Sequence, residues 1–188
     1  REEFLKLGGP QGRGSNSGDL FIKPVNWKPV ITAPHGYVLG LAFGIILESD
    51  LIVAEEGTKI QLTETSRGLG GSKYWSLMQF RGASTFATEI ALTGRFFSVE
   101  EGHAAGIIDR VAPKGQYLEV AMDLARQIAA NPPLSVRATV RTRRLKMEQI
   151  GREAQAQLNA QKLFLTEDFH EAASAFAEKR KPNKFKGR

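Results

Sequence analysis

Residues 28–56 read KPVITAPHGYVLGLAFGIILESDLIVAEE, and this stretch decides the fold. Val30-Ile31-Thr32-Ala33 is apolar and β-branched, as a buried strand requires. Pro34-His35-Gly36 breaks it. The apolar segment from Leu39 to Glu48 predicts a helix buried nearly all round. Leu51 to Ala54 predicts the next strand. Glycines stand at 36, 40 and 44, and no acid, base or nucleophile lies between Gly36 and Ile46. Two readings fit. Small residues let a buried helix sit close on a sheet. Alternatively, a strand turning at Gly36 into a helix near Leu39 points free N–H groups at one spot, and with the helix dipole they favour negative charge. Where charge develops during a reaction, such a turn is an oxyanion hole. One donor there is worth about 3 kcal/mol of barrier.

Working outward, Lys59 to Leu62 predicts a further strand after the EEGT turn. Ser72 to Phe80 and Ser84 to Leu92 predict helices. Ser98-Val99-Glu100-Glu101 carries a capping-box pattern and starts a helix that ends near Gly106. Ile107 to Val111 is strand-like. Leu118, Met122, Ala125 and Ile128 recur at helix spacing, and Asn131-Pro132-Pro133 stops that helix. Val136, Val140, Met147, Ala154 and Leu158 mark one face of a long helix, and Phe169 to Lys179 forms another. Upstream, Glu2 to Leu7 predicts a short helix, followed by a loop rich in Gly, Ser, Asn and Pro. The expectation is an α/β core over residues 1–130 and a helical region over 131–188.

The chain has 188 residues, 41% hydrophobic and 24% charged, enough to bury a core of useful size. It contains no cysteine, which excludes disulfides, thiol catalysis and thiolate metal sites. No apolar run reaches the ~18 residues of a membrane span, and REEFLKLGG lacks the order of a secretory signal. No His, Asp and Glu spacing suggests a metal site. The net charge of +6 suits an anionic partner or a solvated surface.

Four segments in register carry a resemblance. KPVITAPHGYVLGLAFGIILESDLIVA resembles the Lys-Pro-Val-Ile strand, glycine-rich loop, buried helix and Asp-(Ile/Leu) strand of the crotonase family, the enoyl-CoA hydratases and isomerases. IQLTETSRGLGG, residues 60–71, is similar to its Phe-x-x-Pro-Glu segment. ALTGRFFSVEEGHAAGIIDRV, residues 91–111, and AFAEKRKPNKF, residues 175–185, are similar to its later signatures. The resemblance runs from about residue 28 to 188. It implies a crotonase-like spiral of ββα turns and a C-terminal helical trimerisation region. It also implies an acyl-CoA thioester as substrate, with coenzyme A arriving as part of it and no permanently bound cofactor. Assembly would be a homotrimer or a hexamer, in the cytoplasm or a mitochondrial matrix.

The resemblance also assigns residues. The N–H of Leu41 falls at the family's second oxyanion donor, usually a glycine, and the leucine side chain is expected to narrow the approach. Glu64 falls at the second of two catalytic glutamates. The first glutamate's position is Gly44, which turns the expectation toward a single carboxyl moving one proton, as in the isomerase branch. Phe176 falls at a residue lining the acyl end, and Lys179 at one reaching the CoA 3′-phosphate, often that of a neighbouring subunit. The family's first donor sits in an Ala-Gly-Ala-Asp type motif with no counterpart here, so the expectation is that the N-terminal part is missing.

Alternatives remain open. Gly44 and the absent motif also fit a non-catalytic acyl-CoA-binding or assembly subunit. Arg137, Arg141 and Arg144 fall on one helix face and offer a phosphate-tracking stripe, although no aromatics interleave it and no nucleic-acid fold signature accompanies it. His35 reads as a turn residue, with general base as the second reading. His103 and His170 read as structural or solvated. Tyr74 and Trp75 read either as acyl-pocket residues or as core aromatics.

Overall fold

A computed structural model describes residues 27–188. The segment expected as the short helix Glu2 to Leu7 lies outside the described residues. Strands alternate between two small sheets as the chain advances. β1 (Ile31–Thr32) enters the first sheet, β2 (Tyr37–Leu39) the second, and α1 (Leu41–Glu48) closes the turn. The pattern repeats with β3 (Leu51–Glu55), β4 (Lys59–Gln61), a one-turn 3-10 helix (Thr65–Arg67), α2 (Ser72–Arg81) and α3 (Ser84–Thr93). β1 pairs parallel with β3, Ile31 opposite Leu51, and β2 pairs parallel with β4, Val38 opposite Ile60. That is the ββα spiral the sequence implies. β5 (Phe96–Ser98) runs antiparallel to β4, and after α4 (Val99–Ala104), β6 (Arg110–Ala112) completes the first sheet beside β3.

β3 is apolar along Ile52-Val53-Ala54 because, as the central strand, it is covered on both faces. Phe43 and Leu47 of α1, Ile52, Ile60, Leu77 and Ile90 are fully buried in one core. α5 (Tyr117–Ala129) covers a second, smaller cluster of Val53, Ala112, Ala121 and Leu124. The buried face of α5 is rotated from the expected stripe. Leu118 and Met122 stay exposed and, with Ala125 and Ile128, line an apolar groove of about 440 Å³ against β1.

Two local details differ from expectation. The helix begins at Leu41, not Leu39, because Val38 and Leu39 pair with β4 first. Ile107 and Ile108 are core residues in a turn whose amides bond to the Gly102 carbonyl, so the ladder starts only at Arg110. The capping box at Ser98 forms as read: Ser98 Oγ accepts from Glu101 N at 3.2 Å, and Ser98 N donates to Glu101 Oε2 at 2.8 Å.

The C-terminal region is α6 (Pro133–Ala160), a one-turn 3-10 helix (Leu163–Leu165) and α7 (Glu167–Ala177). Pro133 starts α6, where its missing N–H costs nothing. Val140 and Met147 face the core as their spacing predicts. Arg144 sits between them and is also buried. It bonds to both oxygens of Asp50 and donates to the Lys28 carbonyl at 2.7 Å. Asp50 also accepts from Val30 N at 2.8 Å. One carboxylate thus ties α6 to the entry of β1 and β3. No helix among the described residues is long and apolar enough to cross a membrane.

Candidate active site

The site is built where β2 ends and β4 ends side by side. Gly40 caps α1 with φ 52° and ψ −118°, a backbone conformation open to glycine. Its N–H donates to the Gln61 carbonyl at 3.0 Å, and its carbonyl accepts from Gly44 N at 3.1 Å. The next amides, beginning with Leu41, are the unpaired first turn of a helix, where the macrodipole adds partial positive charge. Leu41 is 71% exposed.

Three residues past Gln61, the chain leaves β4 at Glu64 and turns through the 3-10 helix. The Glu64 carbonyl accepts from Leu69 N at 2.8 Å, and Thr65 Oγ1 donates to the Ala91 carbonyl at 2.6 Å, which pins the turn to α3. The carboxyl lies against the start of α1. A Cβ at position 40 would be 3.3 Å from Glu64 Oε1 and 2.6 Å from Thr63 Oγ1. Residue 40 therefore needs glycine for space as well as for its φ. Burial raises the Glu64 pKa above the ordinary carboxylate value; its own backbone N–H, Tyr74 and Thr63 oppose the rise. Oε2 is buried with no hydrogen bond of full geometry. A carboxyl so placed has both an elevated affinity for a proton and an uncommitted oxygen, the properties of an acid–base group.

Phe176 and Lys179 come together at the C-terminus of α7. They line a groove of about 460 Å³ with Ser66, Arg67 and Pro182. The Arg67 guanidinium lies 3.6 Å over the Phe176 ring. Ser66 and Arg67 belong to the turn that carries Glu64, so this groove adjoins the carboxyl within one chain. The contact is tight: a Cβ at Gly68, φ 72°, would sit 2.8 Å from Phe169 Cα. Of the basic tail, Arg180 bonds to Glu171 at 2.5 Å and Lys186 to Glu167 at 2.9 Å.

Other candidates fall away from this place. His35 packs on Tyr117 of α5, ring centroids 4.8 Å apart. His103 bonds through Nδ1 to the Ile108 carbonyl at 2.8 Å, and His170 is exposed. The arginine stripe does not form a phosphate track, because Arg144 is committed to Asp50 inside the protein and Arg141 lies over Trp27. Among the described residues no cluster of His, Asp or Glu could hold a metal ion. One member of the site was read from the sequence only as an acyl-pocket or core aromatic. Tyr74 of α2 packs its ring where a side chain at position 44 would go, one turn along α1 from the Glu64 carboxyl at Gly40. The glycine at 44 was the available signal, since a buried helix residue with no side chain leaves room for something else.

A sequence profile of the enoyl-CoA hydratase/isomerase family matches residues 22–188, and the chain belongs to that family. It is similar to the mevalonyl-coenzyme A hydratase of Aspergillus fumigatus, 37% identical over 161 residues that cover 82% of this chain and 59% of that protein. It is also similar to the 2,3-dehydroadipyl-CoA hydratase of Escherichia coli, 35% identical over 86% of this chain and 64% of that protein. Among solved structures, a carnitinyl-CoA hydratase from Mycobacterium avium superposes with a TM-score of 0.74 at 30% identity, covering 99% of this chain and 74% of that one. The chain spans about three fifths of the length of the curated relatives it matches.

Proposed function

We propose that this protein acts on acyl-CoA thioesters as an enoyl-CoA hydratase, with Glu64 carrying the proton. The observation that carries the reading is the Glu64 carboxyl lying beside Gly40, at the start of α1, with Oε2 uncommitted. A thioester carbonyl held at the Leu41 N–H would place carbons 2 and 3 of an enoyl chain near that carboxyl. In hydration, water oxygen bonds to carbon 3 while Glu64 takes its proton. The electron pair of the double bond moves to the thioester oxygen as an enolate, which the backbone amide stabilises. The same carboxyl then returns the proton to carbon 2 as the enolate collapses. Water has added, and Glu64 is regenerated. Desolvation suits this role, because a carboxyl with a raised pKa exchanges a proton more readily near neutrality.

Phe176 would line the acyl end and Lys179 would meet a CoA phosphate as a mobile point charge. The hydratases this chain is similar to, the mevalonyl-coenzyme A hydratase and the 2,3-dehydroadipyl-CoA hydratase, support water addition or its reverse. Gly44 favours a second reading, an isomerase in which the one carboxyl shuttles a proton between carbons 2 and 4. Trimeric or hexameric assembly belongs to the same proposal, and light scattering tests it. The decisive experiment compares Glu64→Gln with the parent protein on crotonyl-CoA in water and on a 3-enoyl-CoA. Turnover falling by orders of magnitude with CoA binding kept supports the role. Undiminished turnover removes Glu64 as the proton carrier, and the preferred substrate separates hydratase from isomerase.

A further inference from the structure

Positions 44 and 74 compete for one space. Gly44 is buried on the face of α1 that meets α2. A Cβ there would lie 2.4 Å from Cε1 of Tyr74, 2.9 Å from Cζ and 3.1 Å from the hydroxyl. No side chain at 44 coexists with this ring position. The Glu64 carboxyl lies one turn back along α1, with Oε1 3.3 Å from where a Cβ at Gly40 would sit, so the half-buried Tyr74 hydroxyl and this carboxyl pack on the same stretch of the helix. Glu64 Oε2 is buried without a hydrogen-bond partner, so it has an acceptor site to spare; catalytic hydrogen bonds commonly tighten only when substrate is bound. The other groups around the pair are few. Glu48, one turn after Gly44 on α1, bonds to Lys73 Nζ at 2.8 Å and acts on Tyr74 through its charge. Thr63 Oγ1 faces the same Gly40 position as Glu64 Oε1, 2.6 Å from where a Cβ there would sit.

We propose that Tyr74 is a positioning residue for Glu64: its ring takes the space a side chain at 44 would need, and its hydroxyl donates to the carboxylate and fixes the direction it faces. The proposal rests on the reading of Glu64 as the proton carrier. Burial, and then the neighbouring Glu64 and Glu48 charges, push the Tyr74 phenol up, so it stays protonated and serves only as a donor. A donor to the ionised carboxyl favours the anion and opposes the upward push of desolvation on Glu64. A carboxyl–phenol pair thus stands where a second carboxyl is sterically excluded.

The test is Tyr74→Phe, read by 13C titration of the Glu64 carboxyl, assigned with Glu64→Gln, and by the pH profile of kcat/KM. Glu64 is expected to titrate at higher pH in the variant. The acid limb of kcat/KM should move the same way, lowering the rate on that limb about tenfold beyond any change on the plateau. A Glu64 titration identical to the parent's overturns the proposal. A titration that moves while the rate profile stays supports the contact and removes Glu64 as the catalytic base, so the two failures are distinct. If Tyr74→Phe does not fold, Gly44→Ala adds one methyl against the ring and must displace it. The same upward movement is expected, and its absence overturns the proposal.

Discussion

Replacing Arg144 by methionine should unfold this protein more than any change at its surface. Arg144 and Asp50 are 4% and 8% exposed, so neither has water to fall back on. The substitution keeps the apolar stem and deletes the guanidinium. Asp50 then loses the Nε contact at 3.2 Å and the stronger Nη2 contact, and the Lys28 carbonyl loses its donor at 2.7 Å. Removing one partner of a buried pair costs about 3–5 kcal/mol. Val30 N at 2.8 Å and Arg143 Nη1 at 3.3 Å still hold Asp50, which places the loss at the lower end, about 3 kcal/mol. For a chain of this size that lowers Tm by about 6–12 °C. Urea melts followed by tryptophan fluorescence measure it directly, with an unchanged m-value if compactness is kept. Replacing Asp50 by leucine in the same chain should return about 2 kcal/mol, because the stranded charge is what hurts. A loss below 1 kcal/mol for Arg144→Met would refute the claim that this carboxylate anchors α6. It would also reopen the reading of Arg144 as a surface phosphate contact.

Two further outcomes follow from the same physics. Glu64 has a folded pKa above its unfolded one, so its contribution to stability is greatest below the ordinary carboxylate value and is lost as pH rises through the raised value. Glu64→Gln should therefore stabilise the protein at pH 7, with the gain fading as pH falls toward 4; a gain independent of pH, seen in thermal melts at both values, would contradict burial of the charge. Gly68→Ala should cost about 2–4 kcal/mol, since its methyl meets the Phe169 backbone and its φ is positive. Hydrogen exchange should show α7 amides losing protection first, and unchanged α7 exchange would show that the helix is not seated on this turn.

Much of the architecture was legible because it is local. β-branched runs, the Ser98 capping box and the helix stop at Asn131-Pro132-Pro133 are decided within a few residues, and each appears as read. β5 was not legible: three residues ending in an N-cap carry no period of their own, and pairing with β4 makes the strand. α5 was placed correctly but turned, because its apolar stripe is wide enough to bury either Ala121 and Leu124 or their neighbours. The Asp50–Arg144 tie spans 94 residues, and nothing in local pattern marks which of five arginines in α6 goes inside. At the site, glycine spacing pointed to the start of α1 on chemical grounds. Glu64, Phe176 and Lys179 came only through the resemblance, and the structure brings all three to one turn and its neighbour. Tyr74 was visible as a residue but not as a partner, since its relation to Gly44 exists only after two helices pack.

The seating of α7 on the 64–68 turn has a mechanical consequence. With Gly68 against the Phe169 backbone and Arg67 stacked on Phe176, the segment that would grip the distal handle of a substrate and the segment bearing the acid form one continuous solid. A molecule anchored at Lys179 would press on the same lever that aims the Glu64 carboxyl. Recognition far from the reacting carbons would then be felt at them as better aim, and a truncated substrate lacking that handle would be processed slowly even when supplied at saturation.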